Sequence, residues 1–272
     1  MRRIKRVPNE VRVRRARGRG GRVLGVPVPG LAGLLPICLL PIGLSLGGCA
    51  SETLFQSSFN SDPINQPPAH NQAVGTASVA GDAGSVVVKP LPNSSDKAVE
   101  ISRAANSQNI NVLTGTLTQV KGAGTYSMIA LVNIPSVSPP RRTAMTVEFD
   151  TATLGLQAPI LHLDFMNDCN NTGKPGANTV RINDTPGNCF GTFPNDRPFV
   201  LQVTLKVAAG SASADIQLVG AGGAANGSVA NVPIQYPNFA QQFGAVTFWM
   251  GYPWSGSFDV TDIIVTYRKP GT

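Results

Sequence analysis

The run Phe199-Val-Leu-Gln-Val-Thr-Leu-Lys-Val207 alternates between apolar and polar residues. Leu201, Val203 and Leu205 share one face, and the polar residues between them share the other. Successive side chains of a β-strand point to opposite faces of its sheet, so this period of two predicts a strand with one buried face.

The same alternation occurs in Met145-Thr-Val-Glu-Phe-Asp150. Other apolar runs, separated by Pro, Gly, Asn and Asp, predict further strands, and no stretch shows the 3.6-residue period of a helix. These runs are Lys97–Ser102, Ile110–Thr118, Tyr126–Ile134, Ile160–Met166, Thr179–Asn183, Ala214–Val219, Ala245–Met250 and Phe258–Tyr267. About ten strands without a helix predict an all-β fold, a two-sheet antiparallel sandwich.

The last predicted strand changes phase in its middle. Phe258 and Val260 share one face, whereas Ile263 has the opposite parity. One extra residue at Thr261 or Asp262 would produce this shift, so we expect a β-bulge there.

The run Gly256-Ser-Phe-Asp-Val-Thr-Asp-Ile-Ile-Val-Thr-Tyr-Arg268 resembles the last strand of concanavalin A-like and laminin-G-like jelly rolls. The strand Phe199–Val207 followed by Ala214-Asp-Ile-Gln-Leu-Val-Gly220 resembles their central hairpin. The resemblance implies a concanavalin A-like jelly roll. Such folds commonly bind saccharides on a concave face or at loop edges.

The amino-terminal segment has the features of a secretory signal: a basic run, an apolar stretch from Leu31 to Leu46, and small residues before Cys49. Leu46-Gly47-Gly48-Cys49 resembles the lipobox of bacterial lipoproteins. The resemblance implies that residues 1–48 are removed and that Cys49 carries a lipid anchor to the membrane. The alternative is a retained span, but prolines interrupt the stretch, which is shorter than the ~20 residues that a spanning helix needs.

The net charge of +7 comes from this segment, which holds ten of the 22 Lys and Arg residues. With its single acid also removed, 12 basic and 14 acidic residues remain, a formal charge near −2. The basic run precedes the apolar stretch, so we predict no nucleic-acid partner. Ala50 and Ser51 follow the cysteine without an aspartate, which by resemblance to lipoprotein sorting implies the outer membrane of the cell envelope.

Residues 49–95 are rich in Ser, Asn, Gln, Ala, Gly and Pro. Such composition is typical of segments that bury too little apolar surface to fold, so we predict a disordered tether over 49–95 and a sandwich domain over 96–272. Val86–Val88 either begins the fold or docks on it.

Cys169 and Cys189 remain after the signal and the anchor. An oxidising envelope would let them form a disulfide. Two free thiols are the alternative. Neither cysteine has a neighbouring Cys or His at the spacing of a zinc site.

Four polar residues form the main candidate ligand site. If Ile160–Met166 and Thr179–Asn183 form a hairpin, His162, Asp164, Arg181 and Asn183 meet on one face. They would supply hydrogen bonds to a sugar, or an acid/base pair. The alternative is an ordinary Asp164–Arg181 salt bridge on a sheet face.

Tyr252 and Trp254 form a second candidate site, in a Gly/Pro turn. Flat aromatic faces suit the apolar face of a sugar ring. The alternative is that one or both tryptophans, Trp249 and Trp254, close an end of the sandwich.

Glu148-Phe149-Asp150 resembles the Glu-x-Asp-x-x-Glu strand of laminarinase-type glycoside hydrolases. Thr153 stands where the second glutamate should be, so the acid of the retaining mechanism is missing and we predict no enzyme. The alternative for Glu148 and Asp150 is two exposed strand residues.

The turn Asp168-Cys-Asn-Asn-Thr-Gly173 offers oxygen ligands for calcium, but Thr179 occupies the place of the glutamate that completes an EF-hand. We therefore predict no metal or other cofactor, and calcium at this turn is the alternative. The predicted function is a lipid-anchored, non-catalytic sandwich that binds a glycan or another surface ligand. A structural or protein-interaction role in the envelope and a divergent glycoside hydrolase are the alternatives.

Overall fold

The computed structural model describes these stretches of the chain: 51–91, 94–136, 143–152, 155–220, 225–251 and 253–271. Within them, fifteen strands form two antiparallel sheets of eight and seven strands. The predicted two-sheet antiparallel sandwich is therefore confirmed. No helix within these stretches has the length and apolarity needed to span a bilayer.

The strands coincide with the predicted runs, and several further strands are present that the sequence did not predict. They are β1 (Glu52–Ser57), β2 (Thr76–Ala80), β3 (Val86–Pro90), β4 (Lys97–Arg103), β5 (Asn111–Thr116), β6 (Gly124–Asn133), β7 (Thr143–Thr151), β8 (Gly155–Met166), β9 (Thr179–Ile182), β10 (Cys189–Phe190), β11 (Phe199–Ala208), β12 (Ser211–Gly220), β13 (Asn226–Pro233), β14 (Phe243–Met250) and β15 (Gly256–Arg268). A 3₁₀ helix, Pro237–Gln242, joins β13 to β14.

Strand pairing is non-local in both sheets. The larger sheet has the order β13-β12-β11-β6-β15-β4-β3, and β1 also pairs with β15. The smaller sheet has the order β10-β9-β8-β7-β14-β5-β2. Consecutive strands therefore often lie in different sheets, and the core is built from residues far apart in sequence.

The core lies between the inward faces that the alternation predicted. Leu201, Val203 and Leu205 of β11 are fully buried. Aromatic rings join the two sheets: Phe165 of β8 stacks on Phe199 of β11 with ring centroids 5.8 Å apart. Burying each such side chain contributes about 1.5–3 kcal/mol.

The expected β-bulge in the last strand is confirmed. The pairing of β15 with β6 shifts register between Thr261 and Ile264. Asp262 has a φ of 49°, in the left-handed region. The extra residue lets Phe258 and Ile263 both point into the core despite their opposite parity.

The predicted tether over 49–95 is wrong for most of its length. Strands β1, β2 and β3 all lie in this segment, and β1 pairs with β15 from Glu52 to Ser57. Leu54 and Phe55 are fully buried. The folded domain therefore begins near Glu52 and not at residue 96.

Two glycines explain how Phe55 docks in a segment of such polar composition. A Cβ at Gly75 would lie 2.8 Å from the Phe55 ring, and one at Gly115 would lie 2.9 Å from it. Gly75 also has a φ of +80°. Gly75, one of the small residues that made the segment look disordered, and Gly115 of β5 thus make room for the ring.

The predicted disulfide is confirmed. Cys169 and Cys189 are bonded, with Cα atoms 6.1 Å apart and a sequence separation of 20. Closing a loop of this length restricts the unfolded chain by about 3 kcal/mol in the entropy model. The bond ties the loop after β8 to β10, at the edge of the smaller sheet.

Candidate functional site

Polar residues line the face of the smaller sheet that points away from the core. They alternate with core residues along β7, β8, β9 and β14, as the period of two requires. We define this polar face as Thr146, Glu148, Asp150, His162, Asp164, Arg181, Thr247 and Trp249.

Strand register brings the polar face together in two rows. In one row, Arg181 pairs with Asp164, which pairs with Thr146. In the other, His162 pairs with Glu148. The predicted hairpin between β8 and β9 is therefore present, and it places His162, Asp164 and Arg181 on one patch.

His162 lies between two carboxylates. Its Nδ1 donates to Glu148 Oε1 at 2.7 Å, and its Nε2 lies 3.0 Å from Asp164 Oδ1. Arg181 then donates to Asp164 Oδ2 at 2.8 Å, the salt bridge named above as the alternative. Three ion pairs thus link Glu148, His162, Asp164 and Arg181 into one ion network.

These bonds determine the protonation state of His162. Burial by itself lowers its pKa, but the hydrogen bonds to Asp164 and Glu148 and their charges outweigh burial and raise the pKa to about 10. At neutral pH the ring is a cation that donates from both nitrogens. It has no free lone pair, so the geometry does not support a role as a general base.

The pKa values of the two aspartates of the polar face, Asp164 and Asp150, are shifted in opposite directions. Burial raises the pKa of Asp164, but hydrogen bonds from His162, Thr146 and Arg181 and the charge of His162 outweigh it, and the pKa is lowered. Burial raises the pKa of Asp150 to about 7, with a further rise from Glu148, although Thr247 Oγ1 donates to it at 2.5 Å.

The interpretation of Glu148 and Asp150 as exposed strand residues is wrong. Glu148 is 4% exposed and Asp150 is 1% exposed. In the described part of the chain, Glu148 Oε2, Asp150 Oδ1, Arg181 Nε and Trp249 Nε1 are buried without a hydrogen-bond partner. Leaving such a group unpaired costs about 1–3 kcal/mol, so these atoms mark the polar face as a candidate site.

The aromatic residue on the polar face is Trp249, which was not among the predicted site residues. Its ring lies 6.3 Å from His162, nearly perpendicular to it. A Cβ at Gly251 would lie 2.6 Å from the Trp249 ring, so the glycine permits this packing. The signal was available in the sequence, because Trp249 shares parity with Thr247.

The other predicted site residues lie elsewhere. Asn183 follows β9 with a φ of 52°, and its side chain donates to the Pro233 carbonyl and accepts from the His162 amide. Trp254 packs against the core, and its carbonyl accepts a hydrogen bond from Arg103. Tyr252, Cys49 and Thr153 lie outside the described residues.

The turn considered for calcium is closed by its own hydrogen bonds. Asp168 accepts from the amides of Thr172 and Gly173 at 2.8 and 2.7 Å and from the Thr172 hydroxyl at 3.0 Å. Among the residues that the structure describes, no group of three His, Cys, Asp or Glu could hold a metal ion.

The raised pKa of Asp150 predicts a pH dependence of stability. Because its folded pKa is about 7 and its ordinary value is 3.8, the folded state holds more protons than the unfolded state between these values. Stability should therefore fall as pH rises from about 4 to about 7. Asp150→Asn cannot ionise, so the part of this fall that Asp150 causes should disappear, while the parts from Asp259 and Asp262, whose pKa values burial also raises, should remain. The variant should be the more stable protein above pH 7.

Urea midpoints measured across this pH range would check the prediction. His162 also stabilises the folded state, because its pKa is raised. This stabilisation is complete below pH 6.5 and is lost as pH rises towards 10, and it is common to wild type and Asp150→Asn. Parallel profiles for wild type and Asp150→Asn would contradict the assignment.

Neither a protein-family model nor a curated protein matches the chain. Solved structures do match its fold. Basic winged bean lectin, solved with Tn-antigen, is 11% identical with a TM-score of 0.51, and the match covers 82% of this chain and 100% of the lectin. A carbohydrate esterase from the Shiga toxin-encoding bacteriophage phi24B is 11% identical with a TM-score of 0.50, covering 81% of this chain and 100% of the esterase. The sandwich is therefore the concanavalin A-like jelly roll that the sequence predicted.

Proposed function

We propose that this protein is a non-catalytic glycan-binding protein and that the polar face is its binding surface. The observation that carries the proposal is the set of four buried polar atoms of this face that lack a hydrogen-bond partner among the described residues, one of which is Trp249 Nε1. Sugar hydroxyls both donate and accept, so they can satisfy carboxylate acceptors and an indole N–H together. A lectin of the same fold, basic winged bean lectin, and a carbohydrate esterase of the same fold support this class of ligand.

The ligand would approach where the polar face retains exposed surface. His162 has a side-chain exposure of 14%, and Trp249 is partly buried, whereas the other members are buried. The ring of Trp249 offers an apolar platform for a sugar ring. The ion network holds the His162 ring and the Glu148 carboxylate in fixed positions around it.

A glycan array with the full-length protein tests this proposal. Wild type should bind at least one oligosaccharide, and Trp249→Ala should bind it about two- to tenfold more weakly, because a stacked ring is worth about 0.5–1.5 kcal/mol. Tyr236→Ala is the matched control, since Tyr236 is an exposed aromatic outside the polar face. An array without hits, or equal losses in both variants, would contradict the proposal. In that case, partners pulled down from envelope extracts would favour the protein-interaction role.

A glycoside hydrolase is the second candidate, because one observation favours it. Asp150 shares a strand face with Glu148, and its pKa of about 7 leaves it partly protonated at neutral pH. Glycosidases use two neighbouring carboxyl groups, one of which is protonated and acts as the acid. Release of reducing ends from a bound glycan, abolished by both Asp150→Asn and Glu148→Gln, would establish hydrolysis. Binding without release would support the non-catalytic function.

We also propose that Cys49 is acylated and holds the protein at the outer membrane of the cell envelope. The basic run, the apolar stretch and Leu46–Cys49 stand in the order of a lipoprotein signal, which supports this. Two acyl chains would anchor the protein stably, whereas one chain is marginal. Mass spectrometry of the native amino terminus should find a lipid-modified cysteine. An unprocessed terminus would contradict the anchor.

A further inference from the structure

The disulfide Cys169–Cys189 borders a cleft of about 490 Å³. Both cysteines are half-buried and both line this cleft. Lys174, an exposed residue of the loop that the bond closes, lines it as well. A thiol that enters the cleft therefore meets both cysteines, and the positive charge of Lys174 favours the thiolate form that attacks disulfides.

The first cysteine belongs to a tight turn that presents Asn171 to the polar face. Asp168 holds this turn, because its carboxylate accepts from the amides of Thr172 and Gly173. The Asp168 carbonyl also accepts from the Asn171 amide at 3.1 Å. Asn171 has a φ of 53°, and its Oδ1 accepts from Arg181 Nη1 at 2.8 Å. The turn therefore supplies one acceptor to the guanidinium of the polar face.

The second cysteine is the strand partner of Arg181. In the pairing of β10 with β9, Cys189 lies opposite Arg181. The disulfide thus ties the turn that carries Asn171 to the strand that pairs with Arg181. The Gly187 amide donates to the Cys169 carbonyl at 3.2 Å and joins the same two segments. Once the covalent bond is broken, weaker contacts of this kind hold the turn against β10.

Arg181 connects the turn to the ion network of the polar face. It pairs with Asp164 Oδ2 at 2.8 Å, and Asp164 Oδ1 lies 3.0 Å from His162 Nε2. Arg181 also pairs with Asp184, whose side chain is 68% exposed. A guanidinium that loses Asn171 is freer to turn outward to Asp184 and away from Asp164. A change at the disulfide therefore reaches the ion network.

We propose that Cys169–Cys189 is a thiol-exchange site whose reduction weakens ligand binding at the polar face. A thiolate of a dithiol attacks one sulfur, the S–S bond breaks, and a mixed disulfide forms. The second thiol of the reductant attacks this mixed disulfide, so the reductant leaves as its own disulfide and the protein gains two electrons and two protons as two cysteine thiols. The proposal deepens the proposed function by naming the regulation of the same site, and its effect on glycan affinity rests on that function.

Dithiothreitol added to ¹⁵N-labelled full-length protein, without denaturant, tests the exchange site. It should reduce the bond, which mass spectrometry of iodoacetamide-labelled peptides detects. Backbone amide signals of the ion network, at residues 146–148 and 162–164, should shift together with those of the loop. The affinity for a glycan that the array identifies should fall about tenfold, the value of one hydrogen bond to a charged group.

Asn171→Gly separates the route through Arg181 from a general loosening of the loop. Glycine keeps the left-handed φ and removes the acceptor. In this variant the oxidised protein should already show the shifts at the ion network and the tenfold weaker binding, and reduction should add little to either. Asn170→Gly, at the neighbouring exposed position of the same turn, is the matched control and should behave as wild type.

The outcomes separate this proposal from the proposed function. A bond that dithiothreitol leaves intact in the folded protein would overturn the exchange site. Shifts confined to residues 167–191, or equal effects of reduction in wild type and Asn171→Gly, would overturn it too. An unchanged affinity after reduction would overturn the regulation and leave glycan binding intact. Protein that binds no glycan in either state would contradict the proposed function, and the exchange site would then stand or fall on the shifts, which are read without a ligand.

Discussion

Replacing Phe55 by alanine should lower the free energy of unfolding by about 3–5 kcal/mol. Phe55 is 1% exposed and belongs to β1, in the segment whose composition predicted a tether. Its ring packs against Gly75 and against Gly115 of β5, a strand of the smaller sheet. The substitution would leave a cavity beside Gly75 and Gly115, which have no side chains to fill it. Urea unfolding of the full-length protein measures the change.

Ile64→Ala is the matched control for Phe55→Ala. Ile64 lies in the same segment but is 47% exposed, so its truncation should change the free energy of unfolding by less than about 0.5 kcal/mol. A tether would give small effects at both positions. Equal and small losses would therefore contradict the docking of β1 and restore the boundary at residue 96.

Replacing Arg181 by methionine should cost about 3–5 kcal/mol, because it leaves Asp164 buried without its guanidinium partner. The side chains of Arg181 and Asp164 are each 7% exposed, and their atoms lie 2.8 Å apart. Arg181 also donates to Asn171 Oδ1 at 2.8 Å. The loss should appear as a lower urea midpoint at pH 7.

Lys206→Met supplies the control for Arg181→Met. Lys206 pairs with Asp215 at 2.5 Å, but both side chains are at least one-third exposed. Such a pair contributes about 0–1 kcal/mol, since water already solvates both charges. If the two variants lose similar stability, the ion network of the polar face is no more than a surface salt bridge.

The ion network also bears on the proposed function. With a pKa of about 10, His162 stays charged and donates to both Glu148 and Asp164 at neutral pH. Both of its ring nitrogens are therefore engaged, and in the proposed function His162 would position the Glu148 carboxylate. The polar atoms of this face that lack a partner within the described stretches are instead Glu148 Oε2, Asp150 Oδ1, Arg181 Nε and Trp249 Nε1, and the sequence suggested Glu148 and Asp150 only as part of a hydrolase pattern.

Local patterns of the sequence determined the strands, the inward faces and the bulge. Alternation is a property of neighbouring residues, so β7 and β11 could be predicted without their partners. The same rule put Asp164 and Arg181 on one face of a hairpin, and the compartment predicted the pairing of Cys169 with Cys189. The small residues of β13 gave no such signal.

Tertiary structure alone decided which strands meet and which polar residues are buried. The apolar content of residues 49–95 is too low to predict folding, yet Phe55 finds room over glycines that include Gly115, far along the chain. Trp249 reaches the polar face because β14 pairs with β7, and Trp254 does not. Alternation repeats every two residues and says nothing about the partner across a sheet, whereas burial depends on that partner.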